Sequence, residues 1–195
     1  SSTSRGLGDV YKRQVMALPS LFILWRQLKA LPRAQAPKGG WLQWRWRPWP
    51  GAISSAVGGW LMVTPVVVAT GWLLVRLVGD PGGSNPLLEL VLGSQDPLAL
   101  FLLGLTAVVL APLFEETIFR GALLPVLAKR WGTAGGVVLS GLLFAMAHIS
   151  IGELAPLTVL GIGLALVRVS TGRLLPSVLM HALWNAVTFL NLLVL

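Results

Sequence analysis

The chain has 195 residues, of which 55% are hydrophobic and 11% are charged, and it contains no cysteine. A soluble domain is on average about 25% charged, so this composition indicates an integral membrane protein. The length suits one compact bundle and not two domains. The lack of cysteine excludes a disulfide framework, a thiol nucleophile and a zinc site built on cysteine.

Basic residues outnumber acidic residues by 15 to 7, which gives a net charge of +8. In a soluble chain, such an excess would suggest a nucleic-acid partner. Here the basic residues lie between apolar runs, where the positive-inside rule accounts for them. We therefore expect a lipid bilayer, and no nucleic acid, as the partner of the basic segments.

Residues 1–14 differ in composition from the rest and have no apolar core, so they are not a signal peptide. They resemble a translated sequencing adapter, and we expect a non-native or disordered leader on a chain that lacks its true N-terminus. Residues 15–50 then predict a partial apolar helix and a basic linker. In the linker, tryptophan alternates with arginine over 41–50, which suits the lipid headgroup layer better than single-stranded nucleic acid.

Residues 51–195 predict a polytopic all-α transmembrane bundle, which brings the chain to about five or six helices. Each apolar run is bounded by charged, glycine-rich or proline-rich turns, and Pro65 and Pro112 are expected to bend their helices. The predicted helices cover residues 52–78, 98–128, 133–149, 154–170 and 174–195.

The loop charges predict the orientation of these helices. Residues 26–47, 129–130 and 168–173 are basic, whereas 80–96 and the turn at Glu153 are acidic. The two kinds of loop alternate with each crossing, so we expect the basic loops on the cytoplasmic side and the C-terminus on the opposite side.

Two adjacent acids, Glu115 and Glu116, lie inside an apolar stretch. Ionisable groups at membrane depth are costly unless they are paired or functional. Arg120 follows Glu116 by four residues and can pair with it on one helix face, which allows a purely structural bridge. Glu115 has no such partner, so we expect it to be used in function.

The two histidines of the chain, His148 and His181, also lie in apolar helices, and Asn185 follows His181 at helical spacing. From the rise of an α-helix, the acids, both histidines and Asn185 reach depths that allow one shared pocket. A carboxylate with an imidazole can activate water, and an imidazole with a carboxamide can bind an oxyanion. Taken singly, each histidine could instead be a satisfied core residue, and His181 with Asn185 could form an interhelical hydrogen bond.

Three ordered motifs, E-E-x-x-x-R, F-x-x-x-H and H-x-x-x-N, occur on successive apolar helices. This set resembles the CPBP family of intramembrane proteases, also called the CAAX prenyl protease or Abi family, over residues 98–195. Taken alone, the phenylalanine of the second motif is expected to pack in the core. The motif residues are Glu115, Glu116, Arg120, Phe144, His148, His181 and Asn185.

The resemblance implies a role for each polar residue. Glu115 and His148 would activate the attacking water, and His181 and Asn185 would hold the oxyanion of the tetrahedral intermediate. The acid that follows Glu115 and the arginine of the first motif would brace the site.

The resemblance leaves the cofactor open, because the family is often called metalloproteases while a metal-free glutamate mechanism is also argued for it. Zinc, if it is bound, would be held by Glu115, His148 and His181. The H-E-x-x-H spacing of many zinc proteases is absent, and the sequence favours water activated by glutamate without obligatory zinc.

The resulting prediction is an intramembrane endopeptidase that cleaves a peptide or protein substrate near the cytoplasmic face. A non-catalytic scaffold or immunity-type protein on the same fold is the main alternative. A proton-coupled transporter is disfavoured because the chain shows no internal repeat. We expect a bacterial plasma membrane or an organellar membrane. The substrate, its prenylation and the oligomeric state cannot be read from the sequence.

Overall fold

A computed structural model describes residues 19, 21–32, 40–79 and 96–194 of the chain. Within these ranges the regular structure is helical throughout, without strands. The expectations for the leader at 1–14 and for most of the acidic loop at 80–96 fall outside the described residues. The helices are α1 (21–30), α2 (Trp49–Val78), α3 (Pro97–Leu105), α4 (Ala111–Glu116), α5 (Leu124–Ala147), α6 (Leu154–Thr171) and α7 (Leu174–Val194).

Four of the described helical segments are long and apolar enough to cross a membrane. The longest is a 51-residue segment that runs through α3, α4 and α5 with π-helical turns between them. These spans confirm the predicted all-α transmembrane bundle and show an integral membrane protein. They are Trp49–Val78, Pro97–Ala147, Leu154–Thr171 and Leu174–Val194.

The 51-residue segment is a hairpin and not one straight helix. Trp131 and Gly132 leave helical geometry, and Gly132 has a φ of +73°, which glycine adopts without steric cost. A Cβ on Gly136 would lie 2.7 Å from the backbone nitrogen of Ala128. Eight residues along a straight helix would separate these positions by about 12 Å. The chain therefore reverses at 131–132, next to the turn predicted at 129–130.

The first arm of the hairpin widens into π-helix twice, at Thr106–Leu110 and at Thr117–Leu123. The six-residue helix α4, which contains both acids of the first motif, lies between them. Pro112 cannot donate to the backbone ladder, which favours a local change of helix geometry next to it. The helix α2 contains Pro65 and is continuous from Trp49 to Val78, and the bend expected at Pro65 stays a prediction.

Small residues bring α5 and α6 into close contact. A Cβ on Gly161 would lie 2.8 Å from the Cα of Gly141, so side chains at these two positions would force the helices apart. Around this contact, a core cluster includes Phe144, Leu160 and Met180 from three helices. Close packing through small residues is typical of helices in membranes, where lipid does not drive apolar surfaces together.

Two of the predicted basic loops lie at the same end of the bundle. Arg173 donates to the backbone carbonyls of Arg45 and Pro48, and the backbone N–H of Leu174 donates to Gln43. The linker before α2 is therefore fastened to the turn between α6 and α7. We call residues 40–48 together with 168–173 the basic end.

Candidate active site

The most buried part of the site is an ion pair between Glu116 and Arg120, both of which have fully buried side chains. Their helix spacing places Nη1 of Arg120 2.7 Å from Oε1 of Glu116. Nη2 of Arg120 donates to the backbone carbonyl of Gly161 at 2.7 Å. The predicted pair is therefore formed, and it also ties the first arm of the hairpin to α6.

The same Glu116 oxygen orients a histidine from the last helix. Nδ1 of His181 lies 3.0 Å from Oε1 of Glu116, and the His181 side chain is only 3% exposed. Because an ionised carboxylate can only accept a hydrogen bond, Nδ1 of His181 is the donor. This contact leaves Nε2 of His181 free to face the neighbouring acid, Glu115.

Glu115 lies between the two histidines. Its Oε2 atom is 3.9 Å from Nε2 of His148 and 3.9 Å from Nε2 of His181. The side chains of Glu115 and His148 are 24% and 29% exposed, in contrast to the buried pair behind them. A separation of 3.9 Å is too long for a hydrogen bond, and it suits a water molecule about 2.8 Å from both atoms.

His148 lies at the end of α5 and is held by its own helix. Its Nδ1 is 2.8 Å from the backbone carbonyl of Phe144, which can only accept, so Nδ1 carries the proton. In the neutral ring, Nε2 then presents its lone pair toward Glu115. The local backbone therefore sets both the tautomer and the direction of the reactive nitrogen.

Phe144 forms the apolar wall of the site. It is completely buried, and its ring contacts the rings of His148 and His181 at centroid distances of 4.7 and 5.5 Å. The guanidinium carbon of Arg120 lies 4.5 Å from the centroid of the same ring. Packing was the expected role of Phe144, and this packing directly fixes three polar side chains of the site.

Asn185 is the one predicted site residue that lies outside the cluster of Glu115, Glu116 and the two histidines. Its amide nitrogen Nδ2 donates to the backbone carbonyl of Ala107 at 2.8 Å. Ala107 lies in the first π-helical segment, and Asn185 follows His181 by four residues, about 6 Å along the helix. The sequence analysis left an interhelical hydrogen bond open as the role of Asn185, and this bond is present. The Asn185 amide nitrogen has a second hydrogen that this bond does not use.

Sequence reasoning missed two backbone acceptors, the carbonyls of Gly161 and Ala107. No side-chain motif marks a carbonyl, although the clustered glycines of α6 signalled a close helix contact. The π-helical geometry that surrounds Ala107 had only one signal in the sequence, the proline at 112.

The chemistry of the donors suits zinc, but their described positions do not. No group of three or more His, Asp or Glu side chains in the described ranges is arranged to hold a metal ion. Ligands on a tetrahedral zinc would be roughly 3.3–3.4 Å apart, given bond lengths of about 2.0–2.1 Å. Glu115 lies farther than this from the nitrogens of both His148 and His181. Zinc therefore stays one of the two alternatives that the resemblance left open.

The chain matches known proteins over the region that carries this site. It is 34% identical over 128 residues to an uncharacterized 24.3 kDa protein of Escherichia coli. The match covers 63% of this chain and 58% of the relative, so the chain spans little more than half of that protein's length. No solved structure matches the chain.

The family comparison covers the hairpin, α6 and most of α7. Residues 97–187 match the family model described as type II CAAX prenyl endopeptidase Rce1-like. This range contains every residue of the three motifs, and it confirms the resemblance stated from them. Over residues 97–187, the chain is therefore similar to the Rce1-like family of CAAX-protease-like membrane proteins.

Proposed function

We propose that the chain is an intramembrane endopeptidase in which Glu115 activates a water molecule. The observation that carries this proposal is the position of Glu115 Oε2, equally distant at 3.9 Å from Nε2 of His148 and of His181. The Glu115 side chain is partly exposed, but the oxygen that faces the two imidazoles is buried and has no hydrogen-bond partner. A satisfied structural acid would contact its neighbours directly, whereas this spacing suits a bound nucleophile.

In the first step, water is held between Glu115 and His148. The neutral imidazole of His148 accepts one hydrogen of the water, and the Glu115 carboxylate accepts the other. Glu115 then takes its proton as the water oxygen bonds to the carbonyl carbon of the peptide. The carbonyl π electrons move onto the oxygen and form a tetrahedral oxyanion.

The oxyanion is stabilised by His181. In the protonated form, His181 donates Nδ1–H to Glu116 and offers Nε2–H to the developing oxyanion. Arg120 and the Gly161 carbonyl hold Glu116 in place, so the ring of His181 is oriented before substrate binds. The second hydrogen of the Asn185 amide would complete the oxyanion site if the substrate lies one turn further along α7.

In the second step, the intermediate collapses and the C–N bond breaks. Glu115 returns its proton to the leaving amine, so the carboxylate is regenerated and water has been added across the bond. The products are a new C-terminal carboxylate and a new amine. All protons in this cycle pass between Glu115, water and the substrate.

The substrate is proposed to be a peptide segment reached from the side of the basic loops. Similarity to the Rce1-like family over residues 97–187 favours a peptide with a prenylated cysteine near its C-terminus as the first candidate. The test therefore uses quenched fluorescent peptides with and without a farnesylated cysteine, presented to purified full chain in liposomes.

The deciding variant is Glu115→Gln, which keeps the shape of the side chain and removes the base. We expect a loss of cleavage of roughly 10²–10⁴-fold, the usual contribution of a general base. The matched control is Glu153→Gln, the same change in the acidic turn before α6, which should cleave at the wild-type rate. Mass spectrometry of the new N-termini in cell membranes extends the comparison to native substrates.

Cleavage by Glu115→Gln at the wild-type rate would overturn the mechanism. If the folded wild-type protein cleaves no peptide and yields no new N-termini, the non-catalytic scaffold is the better account. Membrane insertion and the unfolding temperature of both variants must match the wild type for either conclusion.

A further inference from the structure

The basic end buries three arginine side chains. Arg168, in the last turn of α6, is 6% exposed, and Arg173, just after that helix, is 8% exposed. Arg45 from the linker is partly buried, and its Nη2 donates to the backbone carbonyl of Gly172, one helical turn beyond Arg168. Burying like charges together is unfavourable unless a negative group balances them.

Within the described part of the chain, no carboxylate lies within ion-pair distance of Arg45, Arg168 or Arg173. There is no Asp or Glu anywhere from residue 10 to residue 79, a stretch that includes the whole linker and α2. On α6 itself, Glu153 is 15 residues before Arg168, about 22 Å along the helix. The acids of the active site are engaged with Arg120 and the histidines, close to Gly161 and about 10 Å before Arg168.

The hydrogen bonds of the three guanidinium groups are also incomplete. Arg173 is the best satisfied, with backbone carbonyls of the linker as acceptors, and Arg45 donates to the carbonyl of Gly172. In all three side chains the buried Nε–H group has no hydrogen-bond partner. Arg120 also has an unpaired Nε, but its charge is balanced by Glu116 at 2.7 Å. Three arginines in one cluster without such a carboxylate point to a missing anionic acceptor.

The position of the cluster indicates the kind of acceptor. Two large aromatic side chains of the same linker, Trp46 and Trp49, are about half exposed and contact each other at 5.6 Å. Exposed tryptophans flanking a membrane helix mark the headgroup layer. At that depth the available acceptors with several oxygens are the phosphates of phospholipids, and guanidinium groups bind phosphate with geometric preference.

We propose that Arg45, Arg168 and Arg173 form a binding site for a phosphate group at the basic end, with an anionic phospholipid headgroup as its occupant. The bound phosphate neutralises Arg168 and fastens the linker to the turn between α6 and α7. The site is separate from the Glu115 cluster and does not depend on peptidase activity.

The test measures thermal unfolding of the purified full chain in an uncharged detergent by tryptophan fluorescence. Phosphatidylglycerol, phosphatidylcholine and inorganic phosphate are added in separate arms at constant ionic strength. The variant is Arg168→Gln. The control is Arg76→Gln, which removes one positive charge from the last turn of α2, at the end of that helix away from the linker.

We expect phosphatidylglycerol to raise the unfolding temperature of the wild type and of Arg76→Gln, with affinity about tenfold weaker or worse in Arg168→Gln. Phosphatidylcholine should have a smaller effect. If inorganic phosphate gives the same shift and competes with the lipid, the phosphate site stands and its source is free phosphate. Equal responses of Arg168→Gln and Arg76→Gln would overturn the proposal.

A second measurement covers the case in which Arg168→Gln changes stability by itself. Native mass spectrometry of protein released from phosphatidylglycerol-containing micelles counts the lipids retained per chain. The wild type and Arg76→Gln should retain one more anionic lipid than Arg168→Gln. Equal retention in all three proteins would contradict the proposed site.

Discussion

Two buried arginines, Arg120 and Arg168, show opposite solutions to the same physical problem. Arg120 is fully buried, and it has a carboxylate at 2.7 Å, a backbone carbonyl at 2.7 Å and an aromatic ring beneath it. Arg168 is almost as buried, yet no described carboxylate pairs with it, and the linker arginine Arg45 binds Gly172 one turn beyond it. The first charge is balanced within the chain, whereas the second requires a partner from outside.

The difference separates a preorganised site from a binding site. In the Arg120 region, the protein fixes its own polar groups, so that Glu115 and the two histidines are oriented before substrate arrives. In the Arg168 region, the uncompensated positive charges are the means of recognition, because an anionic ligand gains the ion pairs that the described residues leave open. Substitutions in the two regions should therefore change the unfolding free energy by amounts that differ in sign as well as in size.

The largest effect is expected from Arg120→Met, which removes one partner of a buried ion pair. It leaves Glu116 as an uncompensated buried charge, and we expect a loss of about 3–5 kcal/mol in unfolding free energy. Denaturant unfolding in detergent measures the change. The double variant Glu116→Gln with Arg120→Met should recover part of this stability loss. Equal stability of Arg120→Met and wild type would contradict the view that Arg120 is balanced by the ion pair with Glu116.

Gly161→Ala should have the next largest effect, because its Cβ would lie 2.8 Å from the backbone of Gly141. Forcing α5 and α6 apart should cost about 1–3 kcal/mol and move the carbonyl that binds Arg120. Gly71→Ala is the matched control, since a Cβ there meets nothing within 4 Å. If both variants unfold alike, the close helix contact is not needed to support the site.

Phe144→Leu tests the wall shared by Arg120 and the histidines. We expect the unfolding free energy to fall by about 1 kcal/mol because the aromatic contacts are lost. The cleavage rate, kcat, should fall by a larger fraction than the stability, because His148 and His181 lose their orientation. Phe101→Leu, at a position that is 64% exposed, should change neither quantity. A stability loss without any change in kcat would assign Phe144 to packing alone.

The smallest effect is expected from Arg168→Gln in lipid-free detergent. Because this change removes an unbalanced buried cation, unfolding free energy should stay within about 0.5 kcal/mol of the wild type or rise. The same change in phosphatidylglycerol micelles should be destabilising relative to wild type. A loss of several kcal/mol without lipid would show that Arg168 is balanced by the protein itself.

Hydropathy was sufficient to predict the helices, because each apolar run is bounded by charged or glycine-rich turns. The hairpin at 131–132 followed from the basic turn at 129–130 and the glycine after it. The single helix predicted over 52–78 is confirmed as Trp49–Val78, with Pro65 inside it. Spacing alone predicted the pairing of Glu116 with Arg120, but not the carbonyl that completes it.

The sequence by itself determined the membrane bundle, its chemistry-bearing residues and the pairing of one acid with one arginine. These properties depend on local composition and on the 3.6-residue period of the helix. Only the tertiary structure decided that Glu115 faces both histidines, that Asn185 binds Ala107, and that Arg168 has no acid beside it. Such contacts join residues 33 to 78 positions apart. Their geometry depends on how closely the helices pack, which no local pattern specifies.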